Sequence, residues 1–245
     1  YPGVNTPIKD LKPFDIDLVV VRENTEGEYA NVGGFQYQNF PDEVAVQSAV
    51  FTRKGCERVI RFAFELTIER NKKMHLTSIT KSNAQGYSMV LWDKVFKEVS
   101  KDYPEVKTNS LLIDAACMDF IRKPSEFDVV VASNLFGDIL TDIGAIITGS
   151  MGLASSGNID PSKNKPSMFE PTHGSAPDIV GKEISNPMAQ ILTAGIMLTH
   201  LGEESTGMEL ENAVKKVIEL GETLTPDLGG NSKTNEVTEA IISNL

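Results

Sequence analysis

Two apolar runs, far apart in the chain, constrain its fold more than any other feature. Phe14–Val21 ends in three valines, and Phe127–Ala132 is built on the same pattern. Such runs are typical of strands that are buried on both faces, as in a parallel sheet. Polar residues follow each run at once, at Arg22–Asn24 and at Ser133-Asn134. The pattern predicts a sheet whose strands lead into loops that carry functional side chains.

Helical and extended segments alternate along the rest of the chain. Gly33-Gly34, followed by the alternating and valine-rich Glu43–Thr52, predicts a hairpin or an extended arm. Short strands are expected at His75–Thr80 and at Leu111–Ile113. The alternation of strands and helices predicts an α/β protein. Six segments are predicted to be helical: Arg53–Arg70, Tyr87–Ser100, Phe136–Thr148, Pro187–Leu201, Leu210–Thr223 and Asn235–Ser243.

A loop-rich stretch divides the chain. Gly149–Lys165 is rich in Gly, Ser, Asn and Pro, which is typical of a linker or boundary. The length of 245 residues fits one large domain or two small ones. We therefore predict two domains, residues 1–148 and 149–245.

The bulk composition argues against several partners. The net charge is -11 at pH 7 and the Lys and Arg residues are dispersed, so a nucleic-acid backbone would be repelled. The longest apolar helical segment, Met188–Leu201, is shorter than the roughly 20 residues of a membrane span, so no membrane partner is expected. Cys56 and Cys117 lie in no metal-type spacing and no signal peptide opens the chain, which predicts a cytoplasmic protein.

Three aspartates are candidate metal ligands. Asp138 and Asp142 are four residues apart at the start of a predicted helix, so both carboxylates project from one face. Two like charges held together are costly unless a cation neutralises them, and Mg²⁺ prefers carboxylate oxygens. The alternative is a solvated acidic face at a helix N-terminus, although the neighbouring residues are mostly apolar. Asp114 follows another apolar strand and is either a third ligand or a helix N-cap.

Three further side chains are candidates for substrate chemistry. Arg22 directly follows three valines, and its guanidinium matches a carboxylate in a two-point contact. Lys81 follows Thr80 at a predicted strand end, and Tyr29 lies in Glu26–Tyr29. Lys and Tyr can act as acid or base where their pKa is lowered, as a nearby divalent cation and an Arg would do. Each residue by itself is more often a surface charge or a packing tyrosine.

The nucleotide-binding signatures of other folds are absent. The chain has neither GxGxxG nor GxxxxGK[ST], so Rossmann and P-loop binding are unsupported. The segment Phe169–Gly181 is instead rich in Gly, Ser and Pro, which predicts an ordered loop with exposed backbone donors. An acid in such a loop can bind a ribose diol and would repel a 2′-phosphate. The alternative is a purely structural turn.

Four segments together resemble one family. Arg22–Tyr29, Thr80–Asn83, Asn134–Asp142 and His173–Asp178 occur in the order found in the β-decarboxylating dehydrogenases, which include isocitrate and 3-isopropylmalate dehydrogenases. The resemblance covers essentially the whole chain. Within the family, Glu26–Gly34 and Ser48–Gly55 are most similar to the branch that oxidises tartrate and D-malate.

The resemblance implies an isopropylmalate-dehydrogenase-like fold of two domains, sheet and helices, rather than a Rossmann fold. Residues 1–148 would form the dimer-forming metal and substrate domain, and 149–245 the C-terminal part of the cofactor-binding domain. The implied activity is oxidative decarboxylation of a small 2-hydroxy dicarboxylic acid, D-malate or tartrate, with NAD and Mg²⁺ or Mn²⁺. The resemblance also allows a monovalent cation as an additional cofactor.

The resemblance also implies roles for particular residues, in a homodimer with shared active sites. Arg22 would bind the substrate carboxylate. Lys81 of the other subunit would take the hydroxyl proton, and Tyr29 would protonate the enolate after CO₂ leaves. The implied metal ligands are Asp138, Asp142 and, from the other subunit, Asp114. The implied cofactor contacts are Asn83, His173, Gly174, Ser175, Ala176, Asp178, Ile179 and Asn186.

Members of the family carry further elements ahead of the part that matches this chain. These are a glycine-rich strand and turn, two arginines and a helix that reads the variable group of the substrate. We expect an N-terminal part of the parent protein to be missing, and this chain alone to be catalytically impaired. Isocitrate, 3-isopropylmalate and homoisocitrate remain alternative substrates. A non-catalytic regulatory subunit and an inactive fragment are the remaining alternatives.

Overall fold

A computed structural model describes all 245 residues, which form two compact units. The sheet unit is Asp17–Thr141, and the helical unit joins Tyr1–Ile16 to Asp142–Leu245. This division differs from the predicted 1–148 and 149–245 in two ways. The first sixteen residues belong with the C-terminal part, and the later boundary lies inside a helix rather than in the loop that follows it.

The sheet unit is built on a parallel sheet of four strands. Its order is β1-β6-β4-β5, and all neighbouring pairs are parallel. Two further strands, β2 and β3, form a separate antiparallel ribbon. In chain order the elements are β1 (Val19–Arg22), β2 (Gly27–Gln36), β3 (Val44–Val50), α1 (Arg53–Arg70), β4 (His75–Thr80), α2 (Ser88–Val99), β5 (Lys107–Leu112), α3 (Ile113–Arg122), β6 (Val129–Ala132) and α4 (Asn134–Ile147).

The core of the sheet unit confirms the α/β prediction. Every residue of β6 is buried, as the run of valines predicts for a strand covered on both faces. Trp92 of α2 is fully buried, and its indole N–H donates a hydrogen bond to the hydroxyl oxygen of Ser78 on β4. The largest side chains buried with it include Ile60, Phe64, Leu76, Ile79 and Phe120.

Two predicted strands have different bounds in the structure. The run that begins at Phe14 joins the sheet only at Val19, which pairs with Val129 at the start of β6. Phe14 itself has a left-handed backbone, with φ of 69°. Strand β5 begins at Lys107, before the predicted Leu111. Its first four residues are polar and exposed because β5 lies at the edge of the sheet. Ile113, predicted as strand, begins α3.

Helix α1 has the predicted bounds, Arg53–Arg70, because both of its ends are capped. The hydroxyl oxygen of Thr52 accepts a hydrogen bond from the backbone N–H of Gly55. At the other end Asn71 takes the left-handed conformation, and its N–H donates to carbonyls of the last turn.

The ribbon of β2 and β3 confirms the predicted hairpin. The strands approach closely at Gly33, where an added Cβ would lie 2.0 Å from the carbonyl oxygen of Val46. Large apolar side chains are exposed along the ribbon and its turn. They are Val32, Phe35, Tyr37, Phe40, Val44, Val46 and Val50.

The helical unit packs three helices around one core. They are α5 (Met188–Leu201), α6 (Glu204–Leu220) and α7 (Thr234–Ile242), and a two-residue ribbon, β7 (Gly157–Asn158) with β8 (Met168–Phe169), completes the unit. Gly202, in the left-handed conformation, ends α5. The buried core residues include Met188, Leu192, Val214, Ile218, Val237 and Ile241.

The first residues belong to this unit because they pack on its core. Tyr1 and Val4 lie against the buried cluster, and Gly3 approaches Ile218 so closely that a Cβ would lie 2.7 Å from its carbonyl oxygen. None of the helices is both long and apolar enough for a membrane span. Cys56 and Cys117 are free thiols.

The fold makes a direct prediction for the sheet-unit core. Phe64 is fully buried and stacks on Phe96 and Tyr103. Phe64→Ala should lower the free energy of unfolding by about 3–5 kcal/mol, since it removes buried apolar area and leaves a cavity. Tyr87→Ala, at a side chain that is 95% exposed, should change it by less than about 0.5 kcal/mol. Equal shifts of the urea midpoint for the two variants would contradict the placement of Phe64 in the core.

Candidate active site

An arginine and an aspartate meet at the carboxyl edge of the sheet. Arg22 is the last residue of β1, and Asp138 lies in α4, which follows β6, the neighbour of β1. Nη1 of Arg22 donates to Oδ1 of Asp138 at 2.7 Å. The two side chains are 26% and 42% exposed, so the ion pair is open to small molecules from solvent. The site residues predicted at positions 22 and 138 are therefore in direct contact.

Tyr29 completes this cluster. Its hydroxyl donates to Oδ2 of Asp138 at 3.1 Å, and the guanidinium carbon of Arg22 lies 5.8 Å from the ring centre. Desolvation, with the hydrogen bond to Asp138 and the charge of that carboxylate, raises the pKa of Tyr29, while Arg22 opposes the change. The expectation of a lowered pKa refers to the site with a divalent cation bound next to Tyr29.

Glu28 connects the strand of Tyr29 to the helix of Asp138. Its carboxylate accepts hydrogen bonds from the hydroxyl of Ser133, at 2.7 Å, and from the backbone N–H of Leu135, at 3.2 Å. An acceptor for a free N–H in the first turn of a helix stabilises that helix end. Glu28 therefore fixes the start of α4 to β2.

Two other glutamates hold the loop between Arg22 and Tyr29. Glu26 accepts from the backbone N–H and the hydroxyl of Thr52, at the start of α1. Glu23 is buried and accepts from Arg58 of α1 and from both the N–H and the hydroxyl of Thr25. The residue pattern alone predicts no role for Glu23 or Glu26. The only available signal was the density of glutamates in one short segment.

The aliphatic part of the Arg22 side chain lies against α4 at Gly137, which has no side chain. A Cβ added to Gly137 would be 2.7 Å from Cγ and 2.8 Å from Cβ of Arg22. These atoms are close to the backbone of β1, so they cannot move away easily. Gly137 therefore allows α4 to approach β1 closely enough for Arg22 to reach Asp138.

A second charged pair forms at the same edge of the sheet. Lys81 directly follows β4, and Asp114 is in the first turn of α3, which follows β5. Nζ of Lys81 donates to Oδ1 of Asp114 at 2.6 Å, and this hydrogen bond lowers the pKa of the Asp114 carboxyl. Asn83 lies exposed in the turn after Lys81.

The predicted metal ligands are not gathered in one chain. Asp142 lies one turn after Asp138 on α4, as expected. Asp114 is instead paired with Lys81. No group of three or more His, Cys, Asp or Glu side chains in this chain is arranged to hold a metal ion. A single chain therefore offers one pair of carboxylates on α4 and a separate third carboxylate on α3.

The helical unit contains a cavity of about 790 Å³. That size is within the range of small-molecule sites. Of the predicted cofactor residues, five line the cavity: His173, Gly174, Ser175, Ala176 and Ile179. Asp178 and Asn186 are not among the lining residues. Asn186 is buried; its amide donates to Asp227 and accepts from the N–H of Met188.

One wall of this cavity was not predicted. Thr234, Asn235, Thr238 and Glu239 line it from α7. Their spacing places polar residues on one helical face, a pattern that is also typical of any solvated helix. The start of α7 is fixed to two other residues that line the cavity, because Lys233 pairs with Glu183 and the Thr234 hydroxyl donates to the Ser185 carbonyl.

Comparisons with known proteins give consistent matches. The model of the isocitrate/isopropylmalate dehydrogenase family matches residues 2–241. A probable tartrate dehydrogenase/decarboxylase of Bacillus subtilis (strain 168) is 51% identical over 243 residues, which are 99% of this chain and 67% of that protein. The D-malate dehydrogenase [decarboxylating] of Escherichia coli (strain K12) is 46% identical, over 98% of this chain and 68% of that protein.

A solved structure agrees with these matches. The isocitrate dehydrogenase of Methylococcus capsulatus is 38% identical, with a TM-score of 0.91 over 100% of this chain and 70% of that chain. The tartrate dehydrogenase/decarboxylase of Pseudomonas putida is 45% identical and is covered to 68%. The chain thus spans about two thirds of the length of the curated relatives that it matches.

The close approach at Gly137 can be tested by stability. Alanine is favoured over glycine inside a helix by about 1 kcal/mol, but overpacking costs about 1–3 kcal/mol. Because the clash would be with the stem of Arg22, Gly137→Ala should not stabilise the protein and should lower its urea midpoint. Gly86→Ala is the control, since its Cβ would meet nothing within 4 Å. A higher midpoint for Gly137→Ala would contradict the close approach.

Proposed function

The chain belongs to the isocitrate/isopropylmalate dehydrogenase family, and on that premise we propose that it oxidises and decarboxylates a small 2-hydroxy dicarboxylic acid. The proposed substrate is D-malate or tartrate, with NAD and Mg²⁺ or Mn²⁺. The names of the similar relatives support this substrate class. The single observation that carries the proposal is the contact of Arg22 and Tyr29 with Asp138 at the carboxyl edge of the sheet. Ligands of open α/β sheets bind at this edge.

The donor set fits a hard divalent cation. Asp138 and Asp142 supply carboxylate oxygens from one helix, and Mg²⁺ and Mn²⁺ prefer such ligands. Asp114 would supply the third carboxylate from the partner copy, since its side chain is 60% exposed. When bound, the cation would polarise the substrate oxygen and stabilise the negative charge that remains after CO₂ leaves.

The side chains have complementary proposed roles. Arg22 binds a substrate carboxylate, because a guanidinium can make a two-point contact with it. Lys81 of the partner copy would take the hydroxyl proton when C2 is oxidised, and bound NAD would supply the hydride acceptor. Tyr29 then protonates the enolate carbon. A phenol carries its proton at neutral pH, so Tyr29 holds a proton that it can donate.

The proposed enzyme is a homodimer with shared sites. Lys81 and Asp114 are engaged with each other rather than with Arg22 or Asp138, so each chain holds two separate parts of the site. The exposed apolar side chains of the β2–β3 ribbon, which include Phe35 and Phe40, offer a surface for a second copy. An isolated two-stranded ribbon is marginally stable in water, and cover by a partner would stabilise it.

The cavity of the helical unit is the proposed place for the adenosine part of NAD. His173, Gly174, Ser175, Ala176 and Ile179 line it. Asp178 and Asn186 are further proposed contacts, and Asp178 would disfavour the 2′-phosphate of NADP. Asn83 is proposed to lie near the nicotinamide. The free thiols of Cys56 and Cys117 are compatible with action in the cytoplasm.

The alternative substrates differ in structure, and the non-catalytic alternative differs in the residues it would retain. Isocitrate, 3-isopropylmalate and homoisocitrate differ from D-malate in the group at C3. A non-catalytic regulatory subunit is disfavoured because Arg22, Tyr29, Lys81 and the three aspartates are all present.

Metal binding and a substrate panel test the proposal. The chain should bind Mn²⁺, and Asp138→Asn should weaken that binding by at least about tenfold, the loss typical even of outer-shell partners. With NAD and Mn²⁺, NADH and CO₂ should form faster from D-malate or tartrate than from the three larger acids. Because the chain spans about two thirds of its relatives, Mn²⁺ affinity is measured by calorimetry beside turnover.

Asp102→Asn is the matched control. Asp102 is an exposed carboxylate of the same unit, paired with Arg61, and its loss should leave Mn²⁺ affinity unchanged. Absence of Mn²⁺ binding, or equal effects of the two variants, would overturn the proposed metal site. Turnover confined to isocitrate, 3-isopropylmalate or homoisocitrate would overturn the proposed substrate.

A further inference from the structure

Asn134 is a buried amide that uses its polar atoms to hold the candidate site. It is the first residue of α4 and is 4% exposed. Its Oδ1 accepts two hydrogen bonds from Arg22, from Nε at 3.1 Å and from Nη2 at 2.8 Å. Its Nδ2 donates to the carbonyl oxygen of Glu26 at 3.2 Å. Burial makes these contacts costly to lose, because water cannot replace them easily.

These contacts set the plane of the Arg22 guanidinium. Two hydrogen bonds from one edge of a planar group to a single acceptor restrict its rotation, whereas the one bond to Asp138 would not. Arg22 thus uses three of its N–H groups as donors, two to Asn134 and one to Asp138. The other N–H groups, on Nη1 and Nη2, are left for a ligand. Gly137 and the Tyr29 ring restrict the stem and one face of the same group.

Asn134 is uncharged, which affects the charge around the Arg22 guanidinium. An aspartate there could accept from the same edge of Arg22, but would add a second negative charge beside that of Asp138. A second carboxylate on the guanidinium would add one negative charge next to the proposed position of the substrate carboxylate and would repel it. The amide oxygen of Asn134 supplies an acceptor without that charge.

We propose that Asn134 is a positioning residue that orients Arg22 for two-point binding of the substrate carboxylate and adds no negative charge beside it. The inference rests on the proposed function, in which Arg22 binds that carboxylate. Asn134 touches neither substrate nor cofactor in this account and acts only through Arg22.

A double-mutant cycle tests the inference. The affinity for D-malate is measured by calorimetry with Mn²⁺ and without NAD, so that no reaction occurs. Asn134→Ala should weaken binding by about tenfold or more, since it releases a charged donor group from its acceptor. In an Arg22→Lys background, which keeps the charge but lacks the planar edge, Asn134→Ala should have little further effect. A merely structural role would weaken binding equally in both backgrounds, and that result would overturn the inference.

Two more variants complete the design. Asn109→Ala is the matched control, because Asn109 accepts a hydrogen bond from the buried Thr77 of the same sheet. It should leave D-malate affinity unchanged. Asn134→Asp keeps the shape of the side chain and the acceptor for Arg22, but it adds a negative charge and loses the donor to the Glu26 carbonyl. It covers the case in which Asn134→Ala does not fold. It should also weaken D-malate binding by about tenfold or more.

The outcomes distinguish the proposed substrate role of Arg22 from the proposed positioning role of Asn134. If the original chain binds Mn²⁺ but neither D-malate nor tartrate, the proposed substrate role of Arg22 fails, and the inference fails with it. If the original chain binds D-malate and both Asn134 variants bind it equally well, only the inference is overturned.

Discussion

The register of β1 against β6 determines where the rest of the candidate site lies. Arg22 is paired in the sheet with Ala132, so β1 ends where β6 ends. Helix α4 begins two residues later and carries Asp138 back to the guanidinium. A shift by one residue would turn Arg22 to the opposite face of the sheet. The buried valines of both strands oppose such a shift, because they would lose their apolar neighbours.

The same geometry explains why the loop after β1 carries so many carboxylates. Tyr29 reaches Asp138 only if β2 and α4 are held together, and Glu28 does this through Ser133 and Leu135. Glu26 fixes the loop to the cap of α1. The carboxylates of Glu26 and Glu28 therefore accept local hydrogen bonds, while Arg22 keeps N–H groups that can bind a ligand.

Much of the fold could be predicted from the sequence, because the signals were local. Arg53–Arg70 and His75–Thr80 have the predicted bounds, since a cap and apolar periodicity mark them. The polar start of β5 could not be predicted, because an edge strand in contact with solvent lacks an apolar pattern. Within the site, residue types made Arg22, Tyr29 and Asp138 candidates, and the resemblance to the family implied their roles. The contacts of Asn134 could not be predicted, because they depend on which strands are neighbours.

The proposed metal site is shared by two chains. Asp138→Asn and Asp114→Asn variants, purified separately and then mixed under conditions that exchange subunits, test this directly by Mn²⁺ titration. Each variant alone should bind Mn²⁺ weakly. The mixture should regain tight binding at about a quarter of the original stoichiometry, because only mixed dimers hold one intact site. If the mixture stays as weak as its parents although mixed dimers form, the aspartates serve sites within one chain, and the shared site is contradicted.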